Sequence, residues 1–308
     1  MNPTEKNILK TITYFSLFRY PITKEEIYSF NRERTDQFSI EKSLAILCRE
    51  GVIYKLEEFY SIYNDLSLVS RRRLGNQMAA KQMVNAHRAA KILSLFPFVS
   101  GLAISGSLSK NYADNHTDID FFVITRANRL WIARTFMHLF KKFTFLTGKE
   151  DWFCMNYYVD EEALEITEKN IFTAMEIVTL LPMHGEVCLS RFFEDNKWTT
   201  DFFPSRVACR DKVPEMRSLY INKIIEFSLN NRFGNFLDDF LMKITDKRWN
   251  KRNKSKKISH TRREMRMITD KHVSKPDPLN FQQNIIREYE KCVKELLEKK
   301  QNEIFLQV

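Results

Sequence analysis

At 308 residues, 44% of them apolar and 29% charged, the chain is long enough for two or three domains, each with a core of its own. No run of about 18 apolar residues occurs, which excludes a spanning helix and leaves no membrane partner expected. The opening residues MNPTEKNILKTITYF lack the apolar centre of a signal peptide. Five scattered cysteines without metal-ligand spacing fit free thiols in a reducing, cytoplasmic setting.

The net charge of +10 is unevenly placed. Residues 1–64 hold nine basic and nine acidic side chains, residues 65–200 sixteen and fifteen, and residues 201–308 twenty-four and fifteen. Ten of those last basic residues fall within 247–266, against the single acid Glu264.

In chain order, Ile8, Leu9, Ile12 and Phe15 recur at helical spacing and predict a first helix. After Tyr20-Pro21, Thr23 with Glu26 three residues on forms a capping box for a second. Ser39 is read as the cap of a third, with Ile40, Leu44 and Leu47 inside it and Gly51 at its end. VIYKL and FYSIY, hinged at Glu57-Glu58, predict a hairpin. Three helices and a hairpin over 1–64 make a winged helix-turn-helix. Its charges disfavour DNA: the third helix exposes Glu41, Lys42, Ser43, Arg49 and Glu50, and the wing tip carries two glutamates. Phosphate attraction, which supplies most non-specific DNA affinity, is therefore missing. Packing on the rest of the chain or on a protein partner is the expected role.

Asp65 to Phe96 predicts a long helix with Gly75 as its main breaker, and Arg71-Arg72-Arg73 reads as a solvated face or a contact for phosphates. The stretch from Val99 to Thr125, VSGLAISGSLSKNYADNHTDIDFFVIT, then reads as strand, Gly-Ser turn, short polar helix and strand. Asp118 and Asp120 are two apart, so both leave one face of an extended segment while Ile119, Phe121 and Val123 leave the other. Two such carboxylates beside a small-residue turn make a magnesium-nucleotide site.

Residues 127–146 predict a helix with His138 on its surface or in its core. WFCMNYYV, 152–159, predicts a third strand with Cys154, Asn156 and Tyr158 on one side. Residues 170–181 predict a helix holding Thr173 and Glu176 and closed by Pro182, and residues 184–193 one more. From 213 to 249 the pattern is helical, with Ile221, Ile224, Ile225, Leu229, Phe236, Leu237 and Phe240 as core. The basic segment 247–266 interrupts it and is expected to be mobile, or ordered by RNA or an acidic partner. Pro276 and Pro278 end it, and Asn280 begins a final amphipathic helix holding Ile285, Ile286, Tyr289, Val293, Leu296 and Leu297.

Gly106-Ser107, ten intervening residues, then Asp118-Ile119-Asp120 followed by FFVIT, with Thr117 in front, resembles the signature of the DNA polymerase beta-type nucleotidyltransferase superfamily. The likeness is greatest to the minimal nucleotidyltransferases. More distantly, the whole chain is similar to bacterial nucleotidyltransferase-domain proteins with an N-terminal helix-turn-helix. The resemblance implies an α+β fold, with the winged helix over 1–64, a nucleotidyltransferase core over 65–204 and a helical region over 205–308. It implies that the Gly106-Ser107 backbone and the Ser107 hydroxyl meet the nucleotide's terminal phosphates at a helix N-terminus. Gly106 permits the close approach. Lys110 would neutralise phosphate charge, where minimal members usually carry arginine. Asp118 and Asp120 would bind one or two Mg²⁺, with Mn²⁺ as a substitute.

Active members place a third carboxylate on the third strand, and the matching position here is Asn156. An amide can accept a metal contact or a hydrogen bond but cannot act as a base. Three options follow. The base comes from elsewhere, with Glu176 the foremost candidate and a helix-surface carboxylate its plainer alternative. Or the acceptor needs no strong base, or the domain binds nucleotide without turning it over. A shifted register would bring Asp151 or Asp160 into the third place. The expected function is Mg-dependent transfer of NMP from an NTP to a hydroxyl on a protein, a small molecule or an RNA end. The alternative is a catalytically silent nucleotide-binding regulator acting through the winged helix on protein or DNA.

Overall fold

A computed structural model describes residues 1–206, 213, 220–258, 266–277 and 280–305. Helix α1 (Pro3–Ser16) opens on a reciprocal Asn2–Glu5 capping box with Pro3 in its first turn. Strand β1 (Ile22–Thr23) leads into α2 (Lys24–Ser29), which starts on the Thr23–Glu26 box that the spacing predicts. Helix α3 (Gln37–Arg49) is capped by Asp36 rather than Ser39. The Asp36 carboxylate accepts from the Ser39 N–H at 2.9 Å, so Ser39 belongs to the first turn. Strands β2 (Tyr54–Leu56) and β3 (Phe59–Ser61) form the expected hairpin, and β1 pairs on the other side of β3.

This unit does not close its core alone. Ile8, Ile12 and Phe15 belong to one buried cluster with Ala174, Met175 and Val178 of a later helix and with Tyr289. The arginine triplet holds the unit in place. It lies on α4 (Ser67–Leu93), whose 27 residues run unbroken. Arg72 is buried, with its guanidinium on Glu26 at 2.8 Å and 4.1 Å from the centre of the Tyr20 ring. Arg73 pairs with Glu57 and Glu58 at the hairpin turn, and Arg71 donates to the Phe18 and Arg19 carbonyls. Of the triplet only Arg73 lies on an exposed face, and all three side chains are engaged by residues of this unit. Gly75 breaks nothing: a Cβ there would come within 2.3 Å of the Tyr112 ring, so it marks a close approach.

The centre of the chain is a six-stranded sheet in the order β7-β4-β5-β6-β9-β8, with β5 and β6 parallel and every other pair antiparallel. Its strands are β4 (Val99–Ile104), β5 (Asp120–Thr125), β6 (Cys154–Asp160), β7 (Leu181–His184), β8 (Arg266–Thr269) and β9 (Val273–Asp277). Helices α4 and α5 (Leu130–Thr144) cover the face carrying Leu102, Phe121 and Val123. Helices α6 (Ile171–Val178) and α7 (Glu186–Asp195) cover the face carrying Ala103, Phe122 and Ile124. Fully buried side chains of this kind contribute about 1.5–3 kcal/mol each, so the sheet is held from both sides. His138 stands inside, its ring 6.0 Å from that of Tyr158, and burial pushes its pKa down to about 3.

Three strands escape the sequence pattern. Pro182 lies within β7, an edge strand where a missing N–H does no harm, and α6 ends earlier, at Val178. The region 205–308 is not wholly helical. Helices α8 (Tyr220–Leu229) and α9 (Arg232–Ile258) carry the helical pattern through the first half of the basic segment. Residues 259–265 lie outside the described ones, and β8 and β9 then extend the sheet beside β6.

The α8–α9 pair is fastened by Ile225, Leu229 and Leu237, which pack on Phe98 and Ile132, and by Asp238, which accepts from the Ile132 N–H at 2.9 Å. Ile221, Ile224, Phe236 and Phe240, expected in the core, face outward instead. Helix α10 (Phe281–Phe305) follows the predicted pattern and sets Tyr289 edge-on to Tyr14 of α1, with ring centres 5.8 Å apart.

Among the described residues, Cys48, Cys154, Cys188 and Cys292 are free thiols, and no helix is long and apolar enough to cross a membrane.

Candidate functional site

Strand β4 runs from Val99 to Ile104, and the chain then turns sharply at Gly106, whose φ is +67°. Only glycine takes that conformation freely, and a side chain would also have nowhere to go. A Cβ on Gly106 would fall 2.3 Å from Asp120 Oδ2. The turn and the strand acid are therefore in direct contact. The Ser105 N–H donates to the Asp120 carbonyl at 2.9 Å and fixes that approach. After the turn comes a single 3-10 turn, Leu108–Lys110, shorter than the helix the sequence suggests, and the Ser107 side chain makes no capping bond there.

Asp120 is the first residue of β5, and Asp118 stands just before the strand. Ile119, Phe121 and Val123 are completely buried, as the alternation predicts. Burial, then the charge of Asp118, raises the Asp120 carboxyl from its ordinary 3.8 to about 7, while Cys154 and Lys110 pull the other way. Asp118 is also raised, first by burial and next by Asp151, against which its carboxyl lies. In both acids burial works against the ionised form, and the neighbouring carboxylate adds to it.

Asn156 is where the register matters. Phe121 pairs with Met155 but Phe122 pairs with Tyr157, so β6 bulges at Asn156. The bulge brings the Asn156 amide onto Asp120, to which its Nδ2 donates. It also corrects the predicted side: Tyr158 goes to the α5 face with Met155, and Tyr157 stays on the Asp120 face against Phe122. Cys154 keeps to the site and donates from Sγ to Asn156 Oδ1 at 3.3 Å. Asp160 is not a member. It is fully buried at the far end of β6, where it accepts from the Asn128 N–H and meets His272 Nδ1, each at 2.8 Å.

Lys110 and Glu176 meet each other. Lys110 Nζ lies 2.8 Å from Glu176 Oε1 and 3.0 Å from the Gly106 carbonyl, so the lysine spans the turn and α6. Both groups are partly buried, which makes the pair stronger than a surface ion pair. Its charge is matched by an acid before any phosphate arrives.

Asp120, Asn156 and Glu176 line the mouth of a cavity of about 430 Å³. Ser105, Gly106, Phe122, Tyr157, Ile177 and Phe192 line it too, and Phe172 of α6 faces Phe281 of α10, with ring centres 5.9 Å apart. Lys275 of β9 lies over the Tyr157 ring and is bound to Glu168 at 2.7 Å and to Gln282. Lys275, Phe281 and Gln282 were not legible as site residues, because more than 150 residues separate them from Asp118 and Asp120 and no local motif marks them.

Among the described residues, no group of three or more His, Cys, Asp or Glu is disposed to hold a metal by itself. Magnesium is ordinarily held by one or two carboxylates together with substrate phosphates, and Asp118 and Asp120 with the Asn156 amide are hard oxygen donors of that kind. A cation bound there would favour the ionised form that burial disfavours. The chain matches no protein-family model, no curated protein and no solved structure, so the site is read from its own residues.

Proposed function

We propose that the chain is a nucleotidyltransferase that moves NMP from an NTP to a hydroxyl acceptor and releases pyrophosphate. The observation that carries this reading is the contact of the Gly106 turn with the raised carboxyl of Asp120, beside Asp118 and at the mouth of a cavity. Residues 1–64 would be a winged helix joined to a nucleotidyltransferase core, with protein rather than DNA as its partner. The hairpin's glutamates, already engaged by Arg73, offer DNA nothing.

In this reading Asp118 and Asp120 hold Mg²⁺, or Mn²⁺ in its place, and the bound ion supplies positive charge at the phosphates. The Gly106-Ser107 backbone positions the terminal phosphates, and Asn156 holds Asp120 in place. Lys110 exchanges Glu176 for a phosphate oxygen. That exchange releases Glu176 to take the proton of the attacking hydroxyl. Arrival of the nucleotide thus both orders the phosphates and frees the base.

A second reading, nucleotide binding without turnover, is favoured by one fact: an amide stands on Asp120 where a third acid would complete the site. Incubation with each α-labelled NTP and Mg²⁺, alone and with cell extract, separates the two. Label transfer that disappears in Asp118→Ala/Asp120→Ala supports the transferase, and binding with no transfer supports the regulator. Glu176→Gln tests the base; full turnover in that variant would remove Glu176 from the mechanism.

A further inference from the structure

The cavity beside Asp120 narrows the acceptor. Its walls are rings and aliphatic side chains, and its volume falls within the range of small-molecule sites, about 300–1,000 Å³. Its cation and its buried amide are already engaged. Lys275, the one cation among the lining residues, is bound to Glu168 and Gln282. Asp277 accepts from the Phe281 N–H at 2.7 Å, and Gln282, almost fully buried, reaches Thr173. An RNA end would bring phosphates that find no free cation among the lining residues. Glu176, the group assigned to take the acceptor's proton, opens onto this cavity together with Ser105, Gly106 and Asp120, so the cavity runs on from the nucleotide's turn to the place where the acceptor's hydroxyl must stand.

We infer that the acceptor is a small non-anionic molecule with a flat apolar body, seated against Phe172 and Phe281 with a hydroxyl turned toward Asp120 and Glu176. The inference rests on the nucleotidyl-transfer reading. In the step, the hydroxyl oxygen bonds to the α-phosphorus, the bond from that phosphorus to the bridging oxygen breaks, pyrophosphate leaves, and the hydroxyl proton passes to Glu176.

The test divides host-cell extract by ultrafiltration into small-molecule and macromolecular fractions and offers each to the full chain with α-labelled NTP and Mg²⁺. The expected product is labelled, small and retained on a reversed-phase column. Phe281→Ala, at a half-exposed position, is expected to raise the KM for the purified acceptor about tenfold with kcat little changed. Label on RNA or protein alone overturns this inference and leaves the transfer reading standing. No label with either fraction overturns both. An unchanged KM in Phe281→Ala also overturns the placement.

A different surface carries a second inference, independent of the chemistry. Tyr220, Phe227, Phe233 and Phe236 are 80, 86, 62 and 67% exposed, with Ile221 and Ile224 beside them, at helical spacing on the outer sides of α8 and α9. At about 200 Å² per aromatic ring, and with the two isoleucines, the strip offers roughly 800 Å² of apolar surface. That is about what each partner contributes to a standard stable interface.

We propose that this strip is covered by a second copy of the chain. Light scattering on the full protein should give a dimer, and Phe227→Ser/Phe236→Ser a monomer of unchanged circular dichroism. A monomeric wild type, or a dimer that survives the double substitution, overturns the proposal. So does a monomer that co-sediments with phosphatidylglycerol vesicles, which would assign the strip to lipid.

Discussion

Replacing Asp120 by asparagine should stabilise the metal-free protein, and most at high pH. The Asp120 carboxyl is raised from 3.8 to about 7 in the folded chain, so the native state binds its proton more tightly than the unfolded state does. Folding stability therefore falls as pH rises through that interval and is lowest above it. About three units at 1.36 kcal/mol each give about 4 kcal/mol as a ceiling. Asp120 keeps a partly solvated edge and shares its field with Asp118, so about 2–4 kcal/mol is the working figure. Asparagine keeps an oxygen to accept from Asn156 while removing the charge. Urea unfolding of both proteins in EDTA should differ by only about 1 kcal/mol at about pH 4.5 and by the full amount at about pH 8, the variant being the more stable. Added Mg²⁺ should recover stability in the wild type alone. A difference that does not change with pH, or a wild type more stable than the variant at about pH 8, would refute the reasoning.

Other outcomes follow from the same contacts. Arg72→Met should cost about 2–4 kcal/mol in urea unfolding, because Glu26 is left without its partner. Arg73→Ala, whose pairs are solvent-exposed, should leave the midpoint unmoved. Gly106→Ala must push a methyl into Asp120 from a left-handed backbone and should weaken Mg-nucleotide binding about tenfold by calorimetry; unaltered affinity would detach the turn from the site. His138 resists protonation in the fold, so wild-type stability should decline as pH drops below the ordinary histidine range. His138→Leu should decline less, and parallel acid profiles for the two would contradict that account.

The local chemistry of the chain was legible where it is short-range. The Thr23–Glu26 box, the hairpin about Glu57 and the alternation through Ile119, Phe121 and Val123 all follow from neighbours a few residues apart. What failed depended on distant partners. Nothing near Arg72 announces the half-buried carboxylate of Glu26, nor does anything near Gly75 announce the ring of Tyr112. The bulge at Asn156 is a matter of strand pairing, and periodicity cannot count an extra residue in one strand. The pair Asp118 and Asp120 could be picked out because its spacing is local. The cavity beside it could not, since β9 and α10 reach it only after the sheet is assembled. Helical spacing on α8 and α9 located an apolar stripe correctly yet could not say which of two stripes the chain itself would cover.

The position of β9 also has a temporal side. During synthesis, β5 and β6 can pair as soon as Asp160 is made, but β6 then has an open edge, a row of unpaired backbone groups able to take up any other strand. Its proper neighbour lies more than a hundred residues further on, at Val273–Asp277. At ordinary ribosomal speeds that gap lasts roughly 5–20 s. Over that interval the strand holding Asn156 is the part of the nascent chain most open to mispairing. The wall of the cavity and the protection of the strand beneath it therefore arrive together, late, and from the same few residues.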